Sequence, residues 1–520
     1  MHSTTLLHLT KTVCVSGTFG QALEPMRKNF AHPRIVFLTN PHEQGHDARF
    51  TFTHQTRTIE HAHKQTAPGL SSATIHTVHH NPTHARAQPF QPSQRRFHMS
   101  TITTRTLDCR TPLIVEHIPG VRSAAMTWLI PAGTAHEPKG LQGLAAMHAE
   151  LLGRGAGNFD SRAQADAYDR LGISRDYAPE TFHIAFTATF MGDRISDALP
   201  LLVENVRDAR MSEDSFAPAR DLCLQTVQSL RDDPHERVLI NARAAHAPEP
   251  INRSVYGTEE GLRALTPEIV AETWRDRAVP EGSIIALAGD VDADDAADLL
   301  NRLLADWTGA APEIDVAPDP PRGYTHETHE TNQVHIALVH DAPPEPDEHA
   351  FDERALTAVL SGGMSSRLFT EIREKRSLCY AVSARYGAEA RYGRTLAYVG
   401  TTPDRAQESL DTLLGELRRI NTTDGAVTKE EFDRAIIGMK SRLVMSGEST
   451  SARAAAIARD WRKLGRARSL DELTDHIDAL SLDRLNEYLT SRRLGTMTAC
   501  SIGPAPLEPP KLSEAQPAGA

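Results

Sequence analysis

From Leu107 to about residue 503 the apolar positions follow short, regular periods. Residues 113–118 and Ser123–Ile130 read as strands bounded by Pro119-Gly120 and Pro131. Between Gly143 and Gly155 the period lengthens. Leu141, Leu144, Ala145, His148, Leu151 and Leu152 then share one face of a helix. Ser161-Arg-Ala-Gln164 predicts a capping box opening a helix that ends at Gly172. The stretch 182–190 alternates as a strand, and helices are predicted near 193–209 and 217–231. Thr266 followed by Pro267 is an N-cap with proline at the first helical position. The run 283–289 is a buried strand leading into a helix near 293–306.

This order of elements recurs. Ser212-Glu-Asp-Ser-Phe216 is echoed by Thr428-Lys-Glu-Glu-Phe432, and Thr266-Pro-Glu-Ile-Val270 by Ser481-Leu-Asp-Arg-Leu485. The strand at 282–289 is echoed at 495–503. Three echoes in one order, each offset by about 210 residues, point to a duplicated domain. The helix at 143–155 then corresponds to about 351–361, after a strand at 333–339. The expected fold is α+β, with two tandem homologous domains. Each is a largely antiparallel sheet, with helices expected on one face. The first domain is assigned to 99–310 and the second to 324–505, joined by the Pro-rich linker 311–323. Residues 506–520 are expected to be a disordered tail.

Composition narrows the setting. The net charge of -12 leaves no basic footprint for a nucleic-acid partner. Five cysteines lie far apart without a CxxC pair, which suits a reducing compartment. No apolar run approaches the roughly 20 residues of a membrane span, and no secretory signal stands at the N-terminus, so the expectation is a cytoplasmic protein with no membrane partner. Residues 1–98 hold about half of the 25 histidines and keep no period, which predicts a disordered extension. Met99 stands just before the patterned region.

The helix at 143–155 has the flanks of an inverted zinc-peptidase motif, His-x-x-Glu-His, with the metal and base positions occupied by Ala146, Ala149 and Glu150. His148 and Glu150 are two apart and point about 200° away from each other on a helix, so they cannot share a metal. His148 reads as a packed histidine, and His136, in the preceding loop, as a surface one.

The run from Ser361 to Ser383, Ser-Gly-Gly-Met-Ser-Ser-Arg-Leu-Phe-Thr-Glu-Ile-Arg-Glu-Lys-Arg-Ser-Leu-Cys-Tyr-Ala-Val-Ser, resembles the second-domain signature of the insulinase/pitrilysin peptidases, which include mitochondrial processing peptidase. Leu107-Asp108, Glu137, Arg231-Asp-Asp-Pro234, Ser254-Val-Tyr-Gly257 and Gly289-Asp290 also fall where that family has matching residues, and the resemblance covers about 105–500. It implies tandem domains of about 200 residues, two such units enclosing a chamber, and a first-domain zinc held by two His and a later Glu. In this chain the third-ligand position falls at Gln225 or Thr226, so the required groups are missing. The resemblance implies instead that Arg373 and Tyr380, seven apart, hold a substrate backbone and its carbonyl. It also implies that Gly362 and Gly363 belong to a substrate-touching loop, although an ordinary turn accounts for them equally. Ser377 stands where the family usually has Gly.

Three readings follow. The chain is the non-catalytic subunit of a heterodimeric zinc peptidase, with no cofactor of its own and zinc in a sister subunit, binding extended peptides. Alternatively it is a structural or peptide-binding protein without a peptidase role. The third is a metallopeptidase with unorthodox ligands.

Overall fold

The computed structural model describes residues 100–513, so the expectations for 1–98 and for 514–520 lie outside the described residues. The first half builds a six-stranded sheet in the order Thr101–Thr106, Pro112–His117, Ile284–Gly289, Ser123–Ile130, Ile184–Met191, Ser174–Pro179. The second half repeats this path with five strands: Tyr324–Thr328, Thr498–Gly503, Val334–Ala342, Gly393–Thr401, Cys379–Ala388. In each sheet the same equivalent pair runs parallel, Pro112–His117 with Ile284–Gly289 and Tyr324–Thr328 with Thr498–Gly503. The remaining pairings are antiparallel. The echoed segments occupy equivalent places: Ser212 and Thr428 cap long helices, Thr266 and Ser481 cap shorter ones, and 282–289 and 495–503 contain central strands. Residues 311–323 carry no regular secondary structure.

Several boundaries differ from expectation. The helix Ser161–Leu171 is capped by Asp160, whose carboxylate accepts from the Ala163 N–H at 2.8 Å, one residue earlier than the sequence pattern placed it. The helix expected from 217 starts at Glu213 and takes Pro218 into its second turn. The tail is docked as far as Leu512. Leu507 and Leu512 join the second core, and the Leu512 carbonyl accepts from the Met497 N–H at 3.0 Å.

The larger correction concerns the sheet faces. Ser123–Ile130 is buried at nearly every position and does not alternate, because both faces of its sheet are covered. One face carries the first half's own helices. The other receives the second-half helix Thr450–Leu464, which packs Ile457 and Ala458 onto Ile114, Leu129, Ala185 and Ala286. The exchange is reciprocal. The first-half helix Pro234–His246 lays Val238 and Ala242 on Ala337, Val339, Tyr398 and Ile502 of the second sheet. A fully buried ion pair, Arg453 Nε to Glu116 Oε2 at 2.8 Å, closes the first of these contacts. Each half therefore completes the other's core.

Candidate functional site

The first-half helix spans Leu144–Leu152 and begins with Gly143 at φ 116. A Cβ on Gly257 would lie 2.2 Å from the Gly143 Cα, so the two glycines let the loop backbones touch. The helix has no side-chain cap of its own. The buried Glu137 supplies one, its Oε1 accepting from the N–H groups of Gly143 and Ala145 at 3.0 Å each. Its second oxygen has no partner among the described residues. Burial raises the Glu137 pKa to about 7, against the opposing pull of the Ala145 and Gly143 N–H groups and the Arg253 charge. The helix is buried almost all round, Met147 and Ala149 included, so its apolar face is wider than its sequence period indicates.

At the positions that would hold and serve a metal, the donors are gone. Ala146 is half-buried against the core and Ala149 is 7% exposed. Glu150 forms an ion pair with Arg154 at 2.6 Å, one turn along. Gln225 and Thr226 are exposed on the helix Glu213–Ser229, and Thr226 Oγ1 donates to the Leu222 carbonyl at 3.0 Å. The residue of that helix whose titration feels Glu150 is Cys223, its thiol pushed up to about 11, by burial first and by the Glu150 charge second. Methyl groups, a paired carboxylate and a buried thiol do not make a zinc set. Among the described residues no group of three His, Cys, Asp or Glu side chains could hold a metal.

His148 is a core residue. Its Nε2 lies 2.9 Å from the Val270 carbonyl, and its ring meets Trp274 edge-on at 5.2 Å. Burial lowers its pKa to about 4, and the Arg277 charge acts in the same direction. His136, expected at the surface, is half-buried. Burial and Arg277 lower its pKa to about 4.

The second-half signature separates into structural and free groups. Arg367 is buried, tied to Glu431 at 2.6 Å and to the Gly425 carbonyl at 2.6 Å. Lys375 and Arg376 both bind Glu371. Arg373, exposed, makes no ion pair among the described residues, and its guanidinium stands 4.8 Å over the Phe369 ring. It lies in a π-helical turn, Phe369–Glu374, an irregularity frequent at functional sites. Ser377 follows at φ 53, the left-handed region that favours glycine. That conformation accounts for the glycine the family usually carries there.

Tyr380 sits at a bulge. Cys379 pairs with Thr401 and Ala381 with Gly400, so Tyr380 is the extra residue, re-aimed out of the regular ladder. It is 42% exposed, and its hydroxyl donates to Gln333 Oε1 at 2.5 Å. The Arg373 charge reaches the thiol of Cys379, the residue before it. Behind Tyr380 stand Tyr398, whose hydroxyl meets that of Tyr380 beside Gly400, and His335, whose Nδ1 is 2.8 Å from the Tyr398 hydroxyl. These two lie in different strands, and no spacing in the sequence pointed to them.

Gly362 and Gly363 do not join this group. They line a separate cavity of about 180 Å³ with Met364, Ser366, Arg434 and Arg442, and neither Arg373 nor Tyr380 borders it. A Cβ on Gly362 would collide with the Ala358 carbonyl, whereas Gly363 has open space around it. The first glycine is therefore required by the helix end and the second is not.

Residues 264–439 match the family of the Peptidase M16 inactive domain. The chain is 24% identical over 380 residues to the uncharacterized zinc protease YmxG of Bacillus subtilis (strain 168), covering 72% of this chain and 91% of that protein. The fold matches the crystal structure of a peptidase M16 inactive domain from Pseudomonas fluorescens with a TM-score of 0.70, at 17% identity, over 78% of this chain and 99% of that one. It also matches a chain of complex III2 from Candida albicans with a TM-score of 0.65, at 16% identity, over 78% and 96%. No helix among the described residues is long and apolar enough to cross a membrane. The sequence matches and the shared fold make this chain similar to the peptidases of the M16 (insulinase/pitrilysin) family, with residues 264–439 matching that family's inactive domain.

Proposed function

We propose that this chain is the non-catalytic subunit of a two-subunit M16 peptidase, pairing with a zinc-bearing sister subunit and presenting Arg373 and Tyr380 to an extended peptide. The observation that carries the reading is the contrast within one molecule. The metal positions hold Ala146 and Ala149, while Arg373 and Tyr380 stay exposed, the first in a π-helical turn and the second at a bulge. A guanidinium and a phenol are fixed donors suited to a peptide carbonyl that gains negative charge. The sister subunit would supply the metal and the base.

The test is co-expression with an M16 protein that carries an intact His-x-x-Glu-His, followed by peptide hydrolysis. Tyr380→Phe and Arg373→Ala should each lower kcat/KM by about 10²-fold, the scale of losing one oxyanion donor. Unchanged hydrolysis in both variants would sink the assignment. The structural reading has one support, the shared fold with a chain of complex III2. It predicts that the purified pair cleaves no peptide at all.

A further inference from the structure

The proposed peptide donor is backed by a chain of hydroxyls. Tyr380 is exposed, but the groups behind it are not: Tyr398 is 4% exposed and His335 5%. The three side chains converge because His335 faces Gly400 across one ladder, and Gly400 faces Ala381, next to the bulged Tyr380, across the other. Gly400 makes the space. A Cβ there would fall 2.5 Å from the Tyr398 hydroxyl and 2.8 Å from that of Tyr380.

Each phenol has one proton to give. Tyr380 donates its proton outward to the Gln333 amide oxygen, so toward the neighbouring Tyr398 hydroxyl its own oxygen can only accept. The Tyr398 hydroxyl lies beside that of Tyr380 over Gly400, and with His335 Nδ1 as the donor to its oxygen it has its single proton free to offer to Tyr380. The direction of the chain is thus His335 N–H to Tyr398 O–H to Tyr380 O–H to an amide carbonyl. The last acceptor is the side-chain amide of Gln333, chemically the same group as a peptide bond.

We propose that His335 is a positioning residue for Tyr380, acting through Tyr398 to fix the phenol's proton outward, and that the Gln333 amide holds the place a peptide carbonyl takes. This rests on the reading of Tyr380 as a peptide donor. The helix Pro234–His246 from the other half closes the cluster, with the His235 ring edge-on to Tyr398 at 4.5 Å. The charges that reach His335 come from Asp233 and His235 at that helix start and from His329 in the preceding loop. The strand on the other side, Thr498–Gly503, offers Cys500 as its titratable group.

The test uses the full chain labelled with [13Cζ]tyrosine, its signals assigned with Tyr380→Phe and Tyr398→Phe. His335→Leu should move both the Tyr398 and Tyr380 resonances, and His335→Gln, which keeps an N–H donor, should restore them. His235→Ala should leave them near their places. Across the titration of the His335 imidazole, both tyrosine signals should follow one midpoint. In parallel, binding of fluorescein-labelled, reduced and carboxymethylated lactalbumin should weaken about tenfold in His335→Leu, the cost of one hydrogen bond of roughly 1.4 kcal/mol. The same loss is expected in Gly400→Ala, whose phenols are chemically intact. Combining His335→Leu with Tyr380→Phe should add nothing to the loss from Tyr380→Phe alone. A Tyr380 resonance indifferent to both His335→Leu and Gly400→Ala overturns the proposal. If the labelled polypeptide does not bind the wild-type chain, the peptide-holding reading falls, and the tyrosine resonances alone decide the positioning role.

Discussion

The helix Leu144–Leu152 and the segment from Phe369 to Tyr380, the two places where the proposed reading puts metal and peptide chemistry, stand in opposite conditions. The helix has supports but no metal donors. Glu137 still caps it, Gly257 still meets Gly143, and His148 is locked to Val270, yet the outward positions hold Ala146 and a Glu150 spent on Arg154. The second segment holds the proposed donors among irregular backbone, a π-helical turn and a bulge, with one strained residue between them, Ser377 in the left-handed region. Strain of this kind persists where the surroundings over-determine it, commonly at functional sites. Packing residues outlast a chemistry because the core still needs them. Exposed side chains such as Arg373 and Tyr380 serve no core.

If the comparison is right, substitutions in the helix cost stability and those in the segment do not. The largest effect is expected from His148→Ala. It leaves a cavity beside Trp274 and removes the ring's hydrogen bond to the Val270 carbonyl, and should cost roughly 3 kcal/mol in denaturant unfolding. A variant as stable as wild type would show that the helix no longer supports the core.

The next effect depends on pH. The folded pKa of Glu137 is raised from 4.5 to about 7, so the folded state favours its protonated form. Its contribution is fully present below about pH 4.5 and is lost as pH rises through about 7, a change on the order of 3 kcal/mol. Glu137→Gln keeps the acceptor oxygen and removes the titration. Relative to wild type, it should therefore gain stability between pH 4.5 and 7. A flat difference curve would rule out a buried, proton-binding cap. The neighbouring His136 and His148 have lowered pKa values and pull the opposite way, so the difference between the two proteins is the quantity to measure.

Smaller effects belong to the second segment. Ser377→Gly relieves a left-handed residue at φ 53 and should stabilise the chain by about 1 kcal/mol. Destabilisation would mean that the serine side chain offsets the strain. Smallest of all, Arg373→Ala should shift stability by less than about 0.5 kcal/mol, because the side chain is exposed and forms no ion pair among the described residues. A loss of 2 kcal/mol or more would reclassify it as a packing residue and erase the contrast.

The order of strands and helices, the repeat at about 210 residues and the absence of donors at Ala146 and Ala149 were readable in the chain itself. Each depends on local period, on capping chemistry or on what a side chain can donate. The helix exchange between the halves was not readable. Val238 and Ile457 show only that their helices have an apolar face, and which sheet receives that face is decided by packing across some 200 residues. The docked tail was missed for the same reason: Leu507 and Leu512 are isolated apolar residues among prolines, and only the second core gives them a partner. Tyr380 was found by its resemblance to the family's Arg/Tyr pair, but its aim was set by a bulge that exists only once Cys379 and Ala381 have paired with their neighbours. His335, Tyr398 and Gly400 met through strand register alone. Register is a property of paired strands, and a single strand does not contain it.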